Sequence, residues 1–218
     1  MQILKNILVG FIVSFIGSIP LGYLNIVGYE VYNSFGLNET IFYLLGVISI
    51  EVFVIYFTLV FANKLIENKK IIKFIEIFSI IFMFLIAYIF YSSASKNGSS
   101  QSVLEKYVYY SPFFVGIILS SINFIQIPFW ISWNLYLLNG NYIEISKSRK
   151  YFYVFGSIIG TFFGMLGLIL SLNYLTNQTD FLNKYLMKFI IPMAFILLGI
   201  WNGFKFYKKH INISNKNI

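Results

Sequence analysis

The sequence contains no cysteine, one histidine and few charged residues. Without cysteine the chain forms no disulfide, no thiolate metal site and no thiol relay. The single histidine, His210, lies beyond the last apolar segment, which excludes a histidine-based catalytic or metal site within those segments. The sequence also has no phosphate-binding Gly-Lys-Ser loop, so we do not expect this chain to hydrolyse ATP.

Apolar residues dominate what is present. Hydrophobic residues make up 58% of the 218 residues and charged residues 11%, and the mean hydropathy is +0.77. A soluble domain has about 25% charged residues. The composition therefore indicates an integral membrane protein. The net charge of +8 comes from basic residues in short loops, so it concerns orientation in the membrane and does not indicate nucleic-acid binding.

Six apolar segments are each close to the roughly 20 residues that cross a bilayer. They are residues 6–32, 41–62, 72–91, 112–138, 151–172 and 186–207. The first segment is longer than a signal-peptide core, and we expect it to be an uncleaved span. The sequence predicts one all-α transmembrane domain over residues 1–218, with a first repeat (1–95), a loop (96–110), a second repeat (111–207) and a C-terminal tail (208–218).

The two longest segments, the first and the fourth, each contain an internal proline. Pro20 and Pro128 are 108 positions apart, and Gly46 and Gly156 in the following segments are 110 apart. Because each half would hold three spans, an odd number, the second half must be inverted relative to the first. Paired segments interrupted by Gly or Pro are typical of transporters with inverted repeats. The predicted fold is six transmembrane helices in two inverted three-helix repeats, with the first and fourth helices broken.

The stretch Gly17–Asn25 indicates where the first helix breaks. Proline removes a backbone donor at a depth where lipid offers no replacement, so such a break must be buried in protein or line a cavity. We therefore predict a substrate and gating site at the two breaks. Its candidate residues are Gly17, Pro20, Gly22, Asn25, Asn123, Gln126, Pro128, Trp130 and Asn134. The alternatives are that the glycines and Asn25 only pack helices and that Trp130 is an interfacial belt residue.

Glu51 is the one ionisable residue near the centre of any predicted span. An intramembrane carboxylate costs a few kcal/mol on insertion scales and is by default a functional hypothesis. We predict that Glu51 carries a coupling proton or pairs with a substrate amino group. The alternative is a protonated carboxyl group that caps free backbone groups at a broken helix.

The loops predict the orientation. Placing the N-terminus in the cytoplasm puts 12 basic residues on that side and 4 on the other. Both termini are therefore predicted to be cytoplasmic, since basic residues concentrate in cytoplasmic loops.

The pattern resembles the LysE superfamily of amino-acid exporters (LysE/RhtB type). The stretch G-S-I-P-L-G-Y-L-N at residues 17–25 is similar to the family's Gly-x-x-Pro-Gly-Pro signature, although Leu21 and Gly22 replace its last two residues. The stretch N-F-I-Q-I-P-F-W at residues 123–130 is similar to the Asn-Pro-containing start of the family's second half. The resemblance implies a divergent, multi-pass exporter of the bacterial inner membrane that moves amino acids or their derivatives with the proton gradient.

These observations together predict a proton-coupled secondary exporter and not an enzyme. The expected partners are a small-molecule substrate, protons and the lipid bilayer, with a homo-oligomer possible and no cofactor or bound metal. Two alternatives stay open. The first is a divalent-metal exporter, which would need several convergent carboxylates within the membrane, whereas this sequence offers one, Glu51. The second is a membrane scaffold or assembly factor, whose polar residues would face partner helices.

Overall fold

A computed structural model of the protein describes residues 2–19, 22–95, 111–146, 148–178 and 189–210. Over these residues the chain is helical and contains no strand, which confirms the all-α prediction for that part of the sequence. The described helices are α1 (Gln2–Ser18), α2 (Tyr23–Phe35), α3 (Leu37–Glu67), α4 (Lys69–Ser95), α5 (Pro112–Ile122), α6 (Gln126–Asn139), α7 (Arg149–Gln178) and α8 (Ile191–His210).

Two single helices are long and apolar enough to cross a membrane, namely Leu37–Ala62 within α3 and Arg149–Thr176 within α7. The pairs α1–α2 and α5–α6 reach that length only when each pair is taken together, and they bend by 77° and 70° at their breaks. The described residues thus contain two candidate spans, or four if each bent pair is one span. The bends lie in the first and fourth apolar segments, where the sequence predicts broken helices.

The helices group into two compact units. The first comprises Met1–Glu67 and Leu104–Leu175, and the second Asn68–Val103 and Thr176–Ile218. In the second unit α4 packs against α8. Gly199 lies against the ring of Phe84, and the Asn202 side-chain amide donates a hydrogen bond to the Met83 sulfur at 3.3 Å. The predicted site residues that the structure describes all belong to the first unit.

Glycines allow two helix pairs of the first unit to approach closely. In the pair α3–α5, a Cβ atom at Gly46 would overlap the carbonyl oxygen of Phe113, and one at Gly116 would overlap that of Tyr43. Helix backbones that lie this close have no room for a side chain, so these glycines are the points of contact.

The pair α1–α7 has the same kind of contact. A Cβ atom at Gly10 would overlap the carbonyl oxygen of Tyr153, and one at Gly156 would overlap that of Ile7. Gly160 and Gly164 continue the contact along α1. Three regularly spaced glycines of α7 thus let it pack closely against α1.

The start of α1 forms hydrogen bonds with the connection between α6 and α7. Asn6 is fully buried, and its side-chain amide donates to the carbonyl oxygens of Glu144 at 2.7 Å and Arg149 at 3.0 Å. Lys5 donates to the carbonyl oxygen of Asn141 at 3.1 Å. The first residues of α1 and this connection therefore lie at the same end of the first unit. The basic residues at this end, such as Lys5 and Arg149, are among the 12 that the sequence places on the cytoplasmic side.

Glu144 belongs to this connection and forms an ion pair with Arg149. The Ser146 hydroxyl also donates to its carboxylate at 2.5 Å. This hydrogen bond and the Arg149 guanidinium lower the pKa of Glu144, because both stabilise the charged form.

Candidate functional site

Glu51 lies in the middle of α3 and is only partly buried. Its carboxyl group is flanked by the indole of Trp130 on α6 and the hydroxyl of Thr161 on α7. Both neighbours are almost fully buried, with exposed fractions of 1% and 3%. Three helices thus converge on the carboxyl group. The arrangement allows it to hold a proton, or a cationic group of a ligand, between two neutral groups that are able to donate hydrogen bonds.

Trp130 faces Glu51 from α6. Its side chain is 1% exposed and is enclosed by the first unit. The Phe129 ring packs edge to face against the Trp130 indole, with 5.3 Å between the centroids, and against the Trp133 indole at 6.4 Å. An aromatic neighbour thus packs against the Trp130 indole, which faces Glu51.

Two side-chain amides bridge the helix breaks. At the first break, the Asn25 amide nitrogen donates to the carbonyl oxygen of Ser18 at 2.8 Å. At the second, the Gln126 amide nitrogen donates to the carbonyl oxygen of Ser120 at 3.1 Å. A helix end leaves carbonyl groups without intrahelical partners, and lipid cannot satisfy them. Both residues were predicted to contact substrate, and in this structure each of these amide groups stabilises a break.

The remaining residues of the breaks have local backbone roles. Gly22 precedes α2, and its carbonyl oxygen accepts hydrogen bonds from the backbone nitrogens of Asn25 and Ile26 at 3.0 and 3.2 Å. Asn123 ends α5, and its backbone nitrogen donates to Ser120 at 3.1 Å. Pro20 lies outside the described residues.

Pro128 lies in the first turn of α6 and not in the break, which occupies residues 123–125. This corrects its predicted position. Proline is tolerated in a first helical turn because its missing amide hydrogen would have no intrahelical partner there.

The two bent pairs contact each other across their breaks. A Cβ atom at Gly17, near the end of α1, would lie 2.6 Å from the ring of Phe129 on α6. Conversely, the Tyr23 hydroxyl at the start of α2 donates to the carbonyl oxygen of Leu119 on α5 at 2.6 Å. The structure therefore brings together the two stretches that the sequence singled out. The Phe129 ring packs directly against Gly17, where a side chain would leave no room for it.

Asn134 is the centre of a buried hydrogen-bond network. Its amide nitrogen donates to the Thr58 hydroxyl at 3.1 Å, and its amide oxygen accepts a hydrogen bond from the Tyr153 hydroxyl at 2.9 Å. All three residues are at most 2% exposed. The network ties α6 to α3 and α7. Asn134 was predicted to contact substrate, but both ends of its side chain bind protein groups.

Three buried hydroxyl groups make no hydrogen bond of standard geometry within the described residues. They belong to Ser14, Ser120 and Thr161. Ser14 and Ser120 lie close to the ends of α1 and α5, shortly before the two breaks, and Thr161 lies beside Glu51. None of the three is among the site residues predicted from the sequence, because a single Ser or Thr in an apolar helix is common and carries no signal of its own.

No group of three or more histidine, cysteine, aspartate or glutamate side chains that could hold a metal ion occurs among the described residues.

Comparisons with known protein families, with curated proteins and with solved structures find no match to this chain.

Proposed function

We propose that this protein is a secondary transporter that exports amino acids or related small metabolites, with Glu51 carrying a coupling proton. The observation that carries the proposal is the position of Glu51. It lies in the middle of an apolar helix and faces Trp130 and Thr161 from two other helices. An ionisable group at that depth is costly and typically marks an ion or proton pathway.

The broken helices support the same function. Discontinuous helices that meet near the middle of the membrane form the binding sites of many secondary transporters. Here the two bent pairs touch through Gly17 and Phe129 and through Tyr23 and Leu119. Trp130 follows the second break and links it to Glu51. The site would thus sense a change in the angle of either bent pair.

We further propose the full architecture of six spans in two inverted halves, with both termini in the cytoplasm of a bacterial cell and the chain in its inner membrane. A glycine of the first half, Gly46, contacts Phe113 of the second half. In the same way, a glycine of the second half, Gly156, contacts Ile7 of the first half. Each break is also bridged by a side-chain amide, that of Asn25 in the first half and that of Gln126 in the second.

A membrane scaffold is the weaker alternative. A scaffold would present its polar side chains to partner helices. The Asn134 network and the Ser14, Ser120 and Thr161 hydroxyls are instead buried inside the first unit. Substrate class and direction of transport rest on the resemblance of residues 17–25 and 123–130 to the exporter family.

The test is efflux of a preloaded mixture of common amino acids from cells with and without the protein, followed over a range of external pH. We expect the protein to accelerate release of at least one component, and Glu51→Gln to reduce that release to background, because an amide cannot carry the proton. Glu39→Gln is the matched control. It changes the same residue type in the first turn of α3, before the apolar segment 41–62 begins.

If Glu51→Gln reaches the membrane in normal amount and supports efflux with an unchanged pH dependence, the proposed role of Glu51 is wrong. If the protein releases no component of the mixture, amino-acid export is wrong.

A further inference from the structure

The glycine contacts define which positions of the two halves correspond. Gly46 meets Phe113, and Gly156 meets Ile7. Gly46 and Gly156 are 110 positions apart, and Ile7 and Phe113 are 106 apart. Exchanging the two halves therefore turns the first contact into the second, with an offset of 110 between α3 and α7 and of 106 between α1 and α5.

A second pair of contacts gives the same two offsets independently. Gly116 meets the carbonyl oxygen of Tyr43, and Gly10 meets that of Tyr153. Gly10 and Gly116 are 106 positions apart, and Tyr43 and Tyr153 are 110 apart. Because four glycines agree on one correspondence, it is a property of the structure and not a chance spacing of one pair.

Buried side chains follow the same correspondence. Tyr43 and Tyr153 are both fully buried, and each donates its hydroxyl hydrogen to the second helix of the bent pair in its own half, at Leu24 and at Asn134. Ser14 and Ser120 are 106 positions apart, both are buried, and neither hydroxyl makes a hydrogen bond of standard geometry within the described residues. The correspondence thus extends from backbone contacts to polar side chains.

Position 161 corresponds to position 51 under the offset of 110, and it is occupied by Thr161. The Glu51 carboxyl group and the Thr161 hydroxyl lie beside each other. Two symmetry-related positions contact each other only where the two-fold axis passes between them, just as a residue at the centre of a two-fold interface meets its own equivalent. Binding sites between inverted repeats lie on or near such an axis, close to the middle of the membrane.

We propose that Glu51 and Thr161 form one proton-binding site on the pseudo-two-fold axis between the halves, and that Thr161 positions the carboxyl group through its hydroxyl. The carboxylate takes a proton from water on one side of the membrane, becomes a carboxylic acid, and returns the proton to water on the other side. The use of this proton in transport rests on the proposed function; the location of the site on the axis does not.

The symmetry makes a specific prediction: the carboxyl group can move to the other half. In the double variant Glu51→Thr with Thr161→Glu, the carboxyl group occupies the corresponding place and faces the corresponding hydroxyl. The groups that face Glu51 are the Trp130 indole and the Thr161 hydroxyl, neither of which ionises near neutral pH. Among the described groups that face Glu51, only its own carboxyl group is therefore expected to titrate near neutral pH.

The experiment is infrared difference spectroscopy of the full chain in liposomes during a pH titration, which detects the carbonyl stretch of a protonated carboxylic acid. We expect a band in the unmodified protein, its loss in Glu51→Thr, and its return in the exchanged double variant with a similar midpoint. A control variant, Glu51→Thr with Phe162→Glu, places the carboxyl group at the adjacent, non-corresponding position of α7 and should not restore that midpoint.

The proposal is overturned if the unmodified protein shows no such band, or if the folded double variant titrates no differently from the Phe162→Glu control. A second comparison covers the case in which the double variant does not fold. Thr161→Val, which removes the hydroxyl at constant shape, should shift the midpoint of the Glu51 band, whereas Thr161→Ser should leave it in place. An unchanged midpoint in Thr161→Val contradicts the positioning role.

Efflux of the same preloaded amino-acid mixture separates this inference from the proposed function. If Glu51→Thr retains normal efflux while the exchange restores the infrared band, the site on the axis stands and its role in transport fails. If Glu51→Thr abolishes efflux and the exchange restores neither efflux nor band, the role of Glu51 in transport stands and the symmetric site fails.

Discussion

A polar side chain inside a membrane helix must find its partners within the protein, because the surrounding lipid supplies none. Asn134 has two, the Thr58 and Tyr153 hydroxyls, and with them satisfies both ends of its amide. Glu51 differs in that it faces an indole and a hydroxyl and remains partly accessible. A fully buried amide whose nitrogen and oxygen both make hydrogen bonds is suited to holding helices together. A partly accessible carboxyl group is suited to exchanging a proton.

We expect Asn134→Ala to destabilise the protein by about 1–3 kcal/mol, because it leaves the buried Thr58 and Tyr153 hydroxyls without this partner. The measurement is unfolding of the purified protein by increasing denaturing detergent, monitored by circular dichroism. Ser132→Ala is the control on the same helix. The Ser132 hydroxyl is exposed and bonds only to the carbonyl oxygen of Pro128 in its own helix, so its loss should change little. Equal stability of the two variants would contradict a stabilising role for the network.

The sequence singled out Glu51 and Trp130 but not the hydroxyl residues close to them. Glu51 stands out because a carboxylate is rare in an apolar helix. Thr161 and Tyr153 do not, because neutral hydroxyl residues are ordinary in membrane helices and the chain contains 17 tyrosines. Asn25 and Gln126 were recognised as polar residues near the breaks. Their amide bonds to backbone carbonyls could not be predicted, since sequence does not show which carbonyl groups a bend leaves free.

At the scale of helices, the two breaks and the glycine contacts have different physical origins. A break is local: proline and glycine weaken the hydrogen-bond ladder, so the bends fall in the predicted segments. The second bend lies at residues 123–125, where the Gln126 amide donates to the carbonyl oxygen of Ser120, and the position of Pro128 alone did not reveal this place.

The close approach of α3 and α5 depends on Gly46. We expect Gly46→Ala to destabilise the protein by about 1–3 kcal/mol, the usual range for overpacking, since the new methyl group would overlap the carbonyl oxygen of Phe113 and backbone cannot move aside easily. The assay is the same detergent unfolding.

Gly167→Ala is the matched control for this substitution. Gly167 also lies inside a long apolar helix, but a Cβ atom there meets nothing within 4 Å. Alanine should be neutral or slightly stabilising at this position, by up to about 1 kcal/mol, because it favours the helix over glycine. If both alanine variants behave alike, the contact between α3 and α5 does not require the absence of a side chain at Gly46.

At the scale of the whole molecule, hydropathy predicts which segments are apolar but not which helices pack together. The sequence predicts two consecutive halves, residues 1–95 and 111–207. The structure groups α1, α2 and α3 with α5, α6 and α7, and places α4 and α8 in a second compact unit. Under the proposed inverted repeat, α4 and α8 are the third helices of the two halves. Each unit then takes corresponding helices from both halves, as a two-fold relation requires.

The proposed arrangement predicts which ends of the helices share a side of the membrane, and the absence of cysteine allows a direct test. We expect a single cysteine at Ser148, beside the start of α7, to be protected from a membrane-impermeant maleimide in intact cells. A cysteine at Asn38, in the first turn of α3, should be labelled. Both positions are exposed, and the unmodified chain gives no background. The reason is that 12 of the 16 basic residues lie on the predicted cytoplasmic side, which includes the connection before α7.

A third cysteine, at the exposed Lys208 near the end of α8, tests the number of spans. With six spans both ends of the chain lie on one side, so Lys208→Cys should be protected like Ser148→Cys. Permeabilising the cells should make both positions reactive, which controls for burial. Labelling of Ser148→Cys but not Asn38→Cys in intact cells would reverse the orientation while keeping the fold. Opposite results at positions 148 and 208 would exclude an even number of spans, and with it two inverted halves of three helices.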